Sequence, residues 1–179
     1  MQLELLVISN VYLNFQKQEL RRREKDFMEN LPLKYLGYTI SFQEVPNEIS
    51  LIFNISGCPY KCKGCHSTYL WEYKGNYLSK DIDSIFNEYL GMFSCVCFMG
   101  GDTNLIELRE LLKLCKSKGL TTCIYSGTDN IKSLENCMEY LDFIKYGSYK
   151  EELKCDNNIC YGVKLATSNQ KMLKKGIDY

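Results

Sequence analysis

The sequence predicts an α/β fold, a partial and open βα barrel with a mostly parallel sheet. From residue 50 onward, short β-rich runs alternate with segments of helical periodicity, the pattern of successive βαβ units. The chain has 179 residues, whereas a closed barrel of eight units needs about 250. We therefore expect this chain to build only part of such a barrel.

The first predicted unit surrounds a cysteine-rich loop. Residues 51–55 are apolar enough to form a buried strand, and the loop at residues 57–66 follows directly. Ser79 can then cap a helix, since its side-chain oxygen can accept a hydrogen bond from the first turn. The predicted buried face of this helix comprises Ile82, Ile85, Phe86, Tyr89 and Leu90.

Further units follow along the chain. Residues 95–98 are predicted as a second strand, and Thr103 or Asn104 can cap a helix that runs to Lys118. Its predicted apolar stripe comprises Leu105, Leu108, Leu111, Leu112 and Cys115. The remaining predictions are a strand at 121–125, a helix at 131–140, a strand at 141–145 and a candidate fifth strand at 161–165.

The loops that follow the predicted strands carry glycine and polar residues. These loops are the cysteine loop, the Gly-Gly-Asp turn at 100–102, the Ser-Gly turn at 126–127 and residues 146–149. Since reactive loops lie at the carboxyl ends of the strands in such folds, we expect all of them to converge on one edge of the sheet.

The first 27 residues differ from the rest, so we divide the chain into an N-terminal extension, 1–27, and a single domain, 28–179. One interpretation of the polar and basic stretch 16–25 is an amphipathic surface helix. The other is that natural translation begins at Met28, because Arg-Arg-Glu-Lys can be encoded by purine-rich codons that resemble a ribosome-binding site. The intact mass of protein made from the native gene would distinguish the two.

Composition narrows the classes of function. The chain balances 22 basic against 22 acidic residues, which removes the usual electrostatic argument for nucleic-acid binding. No apolar stretch approaches the length of a membrane span, so we expect no membrane partner. We see no signal-peptide pattern, so ten cysteines indicate the reducing cytoplasm rather than a disulfide scaffold.

Most of the cysteines outside the loop are predicted to be small core residues. These are Cys95, Cys97, Cys115, Cys123 and Cys137, which lie on predicted strands or helix faces. Cys155 and Cys160 flank a polar Asp-Asn-Asn turn and are candidates for redox sensitivity.

Three cysteines of one loop, Cys58, Cys62 and Cys65, have the spacing C-x-x-x-C-x-x-C. An iron-sulfur cube prefers a thiolate at each of its four irons, so three thiolates leave one iron open to a small molecule. A zinc site formed with His66 is the alternative, although adjacent residues rarely aim at the same metal. A purely structural set of buried thiols is disfavoured because residues 59–64 describe an exposed turn.

The cysteine loop resembles that of the radical S-adenosylmethionine (SAM) superfamily. Four further motifs indicate one family within this superfamily. They are Cys65-His-Ser67, Gly100-Gly-Asp102, Tyr125-Ser-Gly127 and Ser168-Asn-Gln170. These motifs are similar to those of the small activating proteins of anaerobic (class III) ribonucleoside-triphosphate reductases. The similarity runs from about residue 38 to the C-terminus.

This resemblance implies an oxidoreductase, a glycyl-radical-enzyme activating enzyme. It implies a 4Fe-4S cluster on Cys58, Cys62 and Cys65, the catalytic and metal-binding residues, with SAM on the fourth iron. Reductive cleavage of SAM would then generate a glycyl radical on the reductase. The implied partners are the large subunit of the reductase and a flavodoxin- or ferredoxin-type electron donor. The chain has a single histidine, which offers little for acid-base catalysis. This agrees with an enzyme in which the cluster and SAM supply the chemistry and the protein supplies position and charge.

The resemblance also implies a SAM site. Its candidate residues are Tyr60, Gly64, Gly100, Gly101, Asp102, Ser126, Gly127 and Lys145. Asp102 would accept the SAM ammonium group, where most of the superfamily has Glu. Gly64 stands where the superfamily often has an aromatic residue, so the adenine would contact mainly backbone or another side chain. Tyr60 is a candidate for that contact, and the alternative is that Tyr60 is a solvent-facing aromatic.

The remaining assignments each have a simpler alternative. Ser126 and Gly127 resemble a ribose-contact turn, or simply end a strand. Lys145 would meet the SAM carboxylate, or is a solvated lysine. An aromatic set after the loop is either a partner-facing surface or filler, and comprises Tyr69, Trp71, Tyr73 and Tyr77.

Two rival functions stay open at this point. One is another small radical SAM enzyme, such as a pyruvate formate-lyase type activase or a 7-carboxy-7-deazaguanine synthase. The other is a non-enzymatic zinc or electron-transfer module, although an electron carrier would normally have a thiolate on all four irons.

Overall fold

The computed structural model describes residues 14–19 and 31–179. Residues 14–19 form the short helix α1, and the chain divides into two units between Leu31 and Pro32. Only residues 16–19 of the predicted surface helix are described, and the proposed start at Met28 lies outside the described residues. The unit that begins at Pro32 carries all of the candidate site residues.

One open sheet of seven strands organises this unit, in the order β3-β1-β2-β4-β5-β6-β9. Its central strands β2, β4, β5 and β6 pair in parallel, and its outer strands pair antiparallel. The strands are β1 (Lys34–Ser41), β2 (Ser50–Ile55), β3 (Asn76–Tyr77), β4 (Cys95–Met99), β5 (Thr121–Tyr125), β6 (Phe143–Tyr146) and β9 (Lys171–Lys174). The α/β class and the parallel centre are thus confirmed.

Helices connect the parallel strands. They are α2 (Leu78–Glu88), α3 (Leu105–Ser117) and the single turn α4 (Glu135–Met138). The predicted helix at 131–140 is therefore wrong in part, because residues Ile131–Leu134 form a 3-10 helix before α4 begins. The four predicted strands of the sheet centre all form, and the last begins two residues and ends one residue later than predicted.

The sheet is buried on both faces. On the helix side the core includes Phe53, Phe98 and Leu108, and the rings of Phe53 and Phe98 stack with centroids 6.1 Å apart. On the opposite side Val163 and Leu165 pack against the sheet with Cys97. Burial on both faces explains why the central strands are continuous apolar runs rather than alternating ones.

Two sequence predictions are corrected at the C-terminal end. Residues 161–165 do not add a fifth strand to the sheet, because β8 (Val163–Lys164) forms a separate hairpin with β7 (Ile159–Cys160). The strand beside β6 is instead β9, which pairs antiparallel. This arrangement leaves Val163 and Leu165 to cover the sheet face, and explains their apolar character.

Helix α2 also departs from its prediction. The helix begins at Leu78, with Tyr77 rather than Ser79 at its N-cap. Leu90 was predicted to be buried, but its side chain is 81% exposed because the helix ends at Glu88. Ile82, Ile85 and Phe86 form the buried face as predicted.

The N-cap of α3 gives a first testable prediction. The Asn104 side chain accepts a hydrogen bond from the backbone N–H of Glu107, as predicted for one of its two candidate caps. Asn104→Ala leaves that N–H without this partner, and should lower the free energy of unfolding by about 1 kcal/mol in urea denaturation. Asn87→Ala, at an exposed position inside α2, is the control. Equal losses in the two variants would contradict the capping role.

No helix in the described ranges 14–19 and 31–179 is both long and apolar enough to cross a membrane.

Candidate iron-sulfur site

The cysteine loop is tied back onto itself directly after β2. The backbone N–H groups of Gly57 and Cys58 both donate to the carbonyl oxygen of Leu70, at 2.8 and 3.0 Å. Leu70 is buried and ends the 3-10 helix Thr68–Leu70. The loop therefore begins and ends at one anchor beside the sheet, which limits the positions open to the residues between.

The three loop cysteines are free, half-buried thiols. The backbone N–H of Cys65 donates to the carbonyl of Cys62 at 3.1 Å, and Cys65 Sγ accepts from the N–H of Ser67 at 3.4 Å. Burial raises the pKa of the Cys58 thiol. All three cysteines line the same cavity.

This cavity, of about 430 Å³, lies at the carboxyl ends of the parallel strands. Its wall takes residues from the loop or turn that follows each of β2, β4, β5 and β6. The candidate residues in the wall are Cys58, Tyr60, Cys62, Cys65, Gly100, Gly101, Asp102, Ser126, Gly127 and Lys145. The prediction that these loops converge on one edge of the sheet is therefore confirmed.

The turn after β4 brings backbone close to the cavity. Gly100 and Gly101 have φ values of +99° and +102°, a region that side-chain-bearing residues rarely adopt. The N–H of Gly100 donates to the carbonyl of Tyr125 at 2.9 Å, which ties this turn to the end of β5. A Cβ on Gly101 would lie 3.4 Å from Leu108 Cδ1, so α3 packs tightly behind the turn.

Asp102 joins three of the loops through its side chain. Its Oδ2 atom accepts a hydrogen bond from the Tyr60 hydroxyl at 2.7 Å and another from the Ser126 hydroxyl. Burial raises the pKa of the Tyr60 hydroxyl, and the negative charge of Asp102 raises it further. The Tyr60 ring lies against Gly127. Sequence reasoning placed these residues near one ligand but did not connect them to one another.

Lys145 supplies positive charge to the cavity wall. It follows Ile144 at the end of β6, and its Nζ lies 5.7 Å from the centroid of the Tyr125 ring. Burial lowers the pKa of the Lys145 ammonium group to about 8, while the thiols of Cys62 and Cys65 act in the opposite direction. The side chain is half-buried in the cavity wall, unlike a solvated surface lysine.

Gly64 and His66 occupy different places in the loop. Gly64 is not among the residues of the cavity wall, and at φ +79° it packs beside Glu151. A Cβ there would lie 2.5 Å from Glu151 Oε2, the movable end of a flexible side chain, so the positive φ is the main obstacle to a side chain at this position. His66 is exposed but borders the cavity.

Part of the cavity wall was not foreseen as site residues. The segment Leu165–Ala166 and Gln170 also line the cavity. Trp71 lines it too, a residue that the sequence assigned either to a partner-facing surface or to filler. Gln170 holds this segment, because its Oε1 accepts from the N–H of Ala166 at 3.0 Å and its Nε2 donates to the carbonyl of Gly147 at 3.3 Å. The motif Ser168-Asn-Gln170 was the only sequence signal that this segment belongs to the site.

Most of the cysteines outside the loop lie in the core. Cys95, Cys97, Cys115, Cys123 and Cys137 are fully buried, as predicted. Burial raises the pKa of the Cys115 thiol to about 12 and of the Cys137 thiol to about 11, which keeps both neutral. Cys155 and Cys160 are half-buried free thiols.

The loop thiols are compatible with an iron-sulfur cluster. Across residues 14–19 and 31–179, no three His, Cys, Asp or Glu side chains form a set that could hold one metal ion. In a cube each thiolate binds a different iron, so its ligands need not converge on one point. Three half-buried thiols in the wall of one cavity therefore fit a 4Fe-4S cluster.

Fold and site together define an α/β protein with a loop of three free cysteines at the carboxyl edge of its parallel strands. A family model described as "4Fe-4S single cluster domain" matches residues 49–172, which is more than half of the chain. The chain belongs to this family of iron-sulfur proteins. Neither a curated protein nor a solved structure matches it.

Proposed function

We propose that this protein is a radical SAM activase that generates a glycyl radical on an anaerobic ribonucleoside-triphosphate reductase. The observation that carries the proposal is the meeting of the cysteine loop with the Gly-Gly-Asp turn, the Ser-Gly turn and Lys145 in one cavity. Membership of a 4Fe-4S family supports the cofactor. On this proposal the open sheet is the partial barrel of the radical SAM type.

The loop cysteines would hold the cluster. Cys58, Cys62 and Cys65 supply three thiolates, so one iron is left for the amino and carboxylate groups of SAM. When bound and reduced, the cluster supplies the electron that splits SAM into methionine and a 5′-deoxyadenosyl radical. The protein contributes position and charge.

The remaining wall residues would orient SAM. Asp102 offers a carboxylate to the ammonium group, and Lys145 offers an ammonium group to the carboxylate. The glycines at 100 and 101 let backbone approach the same end of the ligand. The turn of Ser126 and Gly127 would meet the ribose. An anionic and a cationic side chain in the wall of one cavity suit a zwitterionic amino-acid group.

The proposed reaction balances with one external electron. A flavodoxin- or ferredoxin-type donor would supply that electron, and the carbon–sulfur bond of SAM would break. A hydrogen atom would pass from a glycine Cα of the reductase to the 5′-deoxyadenosyl group, which would form 5′-deoxyadenosine. The unpaired electron would then remain on the glycine.

A protein substrate needs an approach surface, and aromatic residues follow the cysteine loop on the outside of the unit. The side chains of Tyr69 and Tyr77 are 51% and 38% exposed. Lys34 Nζ lies 4.8 Å from the ring centroid of Tyr73 and 4.7 Å from that of Tyr77. Exposed aromatic side chains of this kind are enriched at protein interfaces.

Two experiments test the proposal at separate levels. The first is anaerobic reconstitution with iron and sulfide, followed by reduction in the presence of SAM and chromatography for 5′-deoxyadenosine. Its formation is expected, and its absence from a fully reconstituted protein would overturn the radical SAM assignment.

The second experiment adds the candidate reductase to the same mixture. Electron paramagnetic resonance should then detect a glycyl radical on the reductase. A protein that cleaves SAM but gives no such signal would be a radical SAM enzyme with a different substrate, and the activase assignment would be wrong.

A further inference from the structure

We propose that Tyr60 is a positioning residue, which with Ser126 fixes the Asp102 carboxylate so that one of its oxygens is presented to the ligand's ammonium group. The inference rests on the proposed function, because it assumes that SAM is the ligand. It assigns Tyr60 a role through Asp102 rather than a contact with adenine.

The first argument is the pattern of hydrogen bonds at Asp102. Both described donors, the hydroxyls of Tyr60 and Ser126, bind the same oxygen, Oδ2. Within residues 14–19 and 31–179, no hydrogen bond reaches Oδ1. A carboxylate has acceptor sites on both oxygens, so Oδ1 keeps its full capacity for a cation. The ligand need not displace Tyr60 to reach it.

The second argument is that each donor has little freedom. Ser126 is 1% exposed, and its Oγ accepts a hydrogen bond from the N–H of Thr128 at 3.0 Å. Its single hydroxyl proton is then directed to Asp102. The backbone N–H of Ser126 donates to the carbonyl of Lys145 at 2.8 Å, which holds the residue at the sheet edge.

The third argument concerns the Tyr60 ring and Gly127. A Cβ on Gly127 would lie 2.5 Å from Cδ2 of the ring and 2.9 Å from Cγ. The φ of Gly127 is not in the left-handed region, so backbone conformation does not require glycine there. The close approach of the ring does. Contact with Gly127 thus fixes the position of the Tyr60 ring, and the ring position directs the hydroxyl group to Asp102.

A fixed carboxylate binds a cation better than a mobile one, because less orientational freedom is lost on binding. The alternative is that Tyr60 blocks Asp102 and must leave before the ligand enters. The two ideas predict opposite effects of removing the Tyr60 hydroxyl, so one variant distinguishes them.

The test is Tyr60→Phe, which keeps the ring and removes the hydroxyl. Reconstituted wild-type and variant proteins, first matched for iron content, are compared by anaerobic equilibrium dialysis with SAM. The dissociation constant for SAM should rise by about 3- to 10-fold, the effect of one hydrogen bond. Tyr161→Phe is the matched control, since this exposed tyrosine also donates to an aspartate, Asp178, but does not line the cavity; it should leave the constant unchanged.

A second ligand separates positioning from a direct contact or a general defect. 5′-Methylthioadenosine keeps the adenosine and lacks the ammonium group, so Tyr60→Phe should not change its binding. Equal weakening of both ligands would overturn the proposal, as would unchanged or tighter binding of SAM. Failure of the wild-type protein to bind SAM would instead overturn the proposed function on which the inference rests.

Discussion

Replacement of Cys62 by alanine should abolish SAM cleavage. Cys62 is the middle cysteine of the loop, and its carbonyl accepts the N–H of Cys65, so alanine preserves the backbone and removes only the thiol. Two thiolates would remain for a cube that already has one iron without a protein ligand. Loss of an outer partner of a metal ligand typically costs 10- to 100-fold in affinity, so loss of a ligand should cost at least about 100-fold.

The measurement is iron and sulfide content after anaerobic reconstitution, together with the rate of 5′-deoxyadenosine formation under reduction. Both should fall to the background of the protein without iron. Cys155→Ala is the matched control, because Cys155 is also a half-buried free thiol but lies outside the loop and the cavity wall. Undiminished 5′-deoxyadenosine formation in Cys62→Ala would show that this loop does not carry the cluster.

The centre of the sheet could be predicted from sequence because burial on both faces leaves an unambiguous pattern. β5 forms at Thr121–Tyr125 as predicted, and β4 extends one residue beyond its predicted end. β1 was not predicted, since its residues are mostly half-exposed and show no regular alternation. The hairpin of β7 and β8 was misplaced because an apolar strand gives the same pattern inside a sheet or packed across its face.

The site, too, could be predicted only in part. We could predict that the loops converge, because the carboxyl ends of parallel strands share one edge of the sheet, and this rule requires no knowledge of distances. The hydrogen bond from Tyr60 to Asp102 joins residues 42 apart in the chain, and no spacing or composition indicates it. Gly127 was a candidate by resemblance alone, and only the neighbouring Tyr60 ring shows why a side chain is excluded there.

Asp102→Asn should weaken SAM binding by about 10- to 100-fold, since hydrogen bonds to charged groups contribute about 1.5–3 kcal/mol. The amide keeps the shape and one acceptor oxygen but loses the negative charge. It also cannot accept from Tyr60 and Ser126 on one oxygen and still present an acceptor to an ammonium group. The variant thus loses both the charge and the fixed orientation.

Equilibrium dialysis with SAM, after reconstitution to the same iron content, measures this effect. Two further variants serve as comparisons. Asp83→Asn, at a 66% exposed side chain on α2 that pairs with Lys118, removes the same charge away from the cavity and should not change binding. Asp102→Glu keeps the charge but moves it by one methylene, so its affinity should lie between those of the wild type and Asp102→Asn. If Asp102→Asn bound SAM as tightly as the wild type, the ammonium group would have to be neutralised elsewhere, and the Tyr60 arrangement would be a feature of the fold alone.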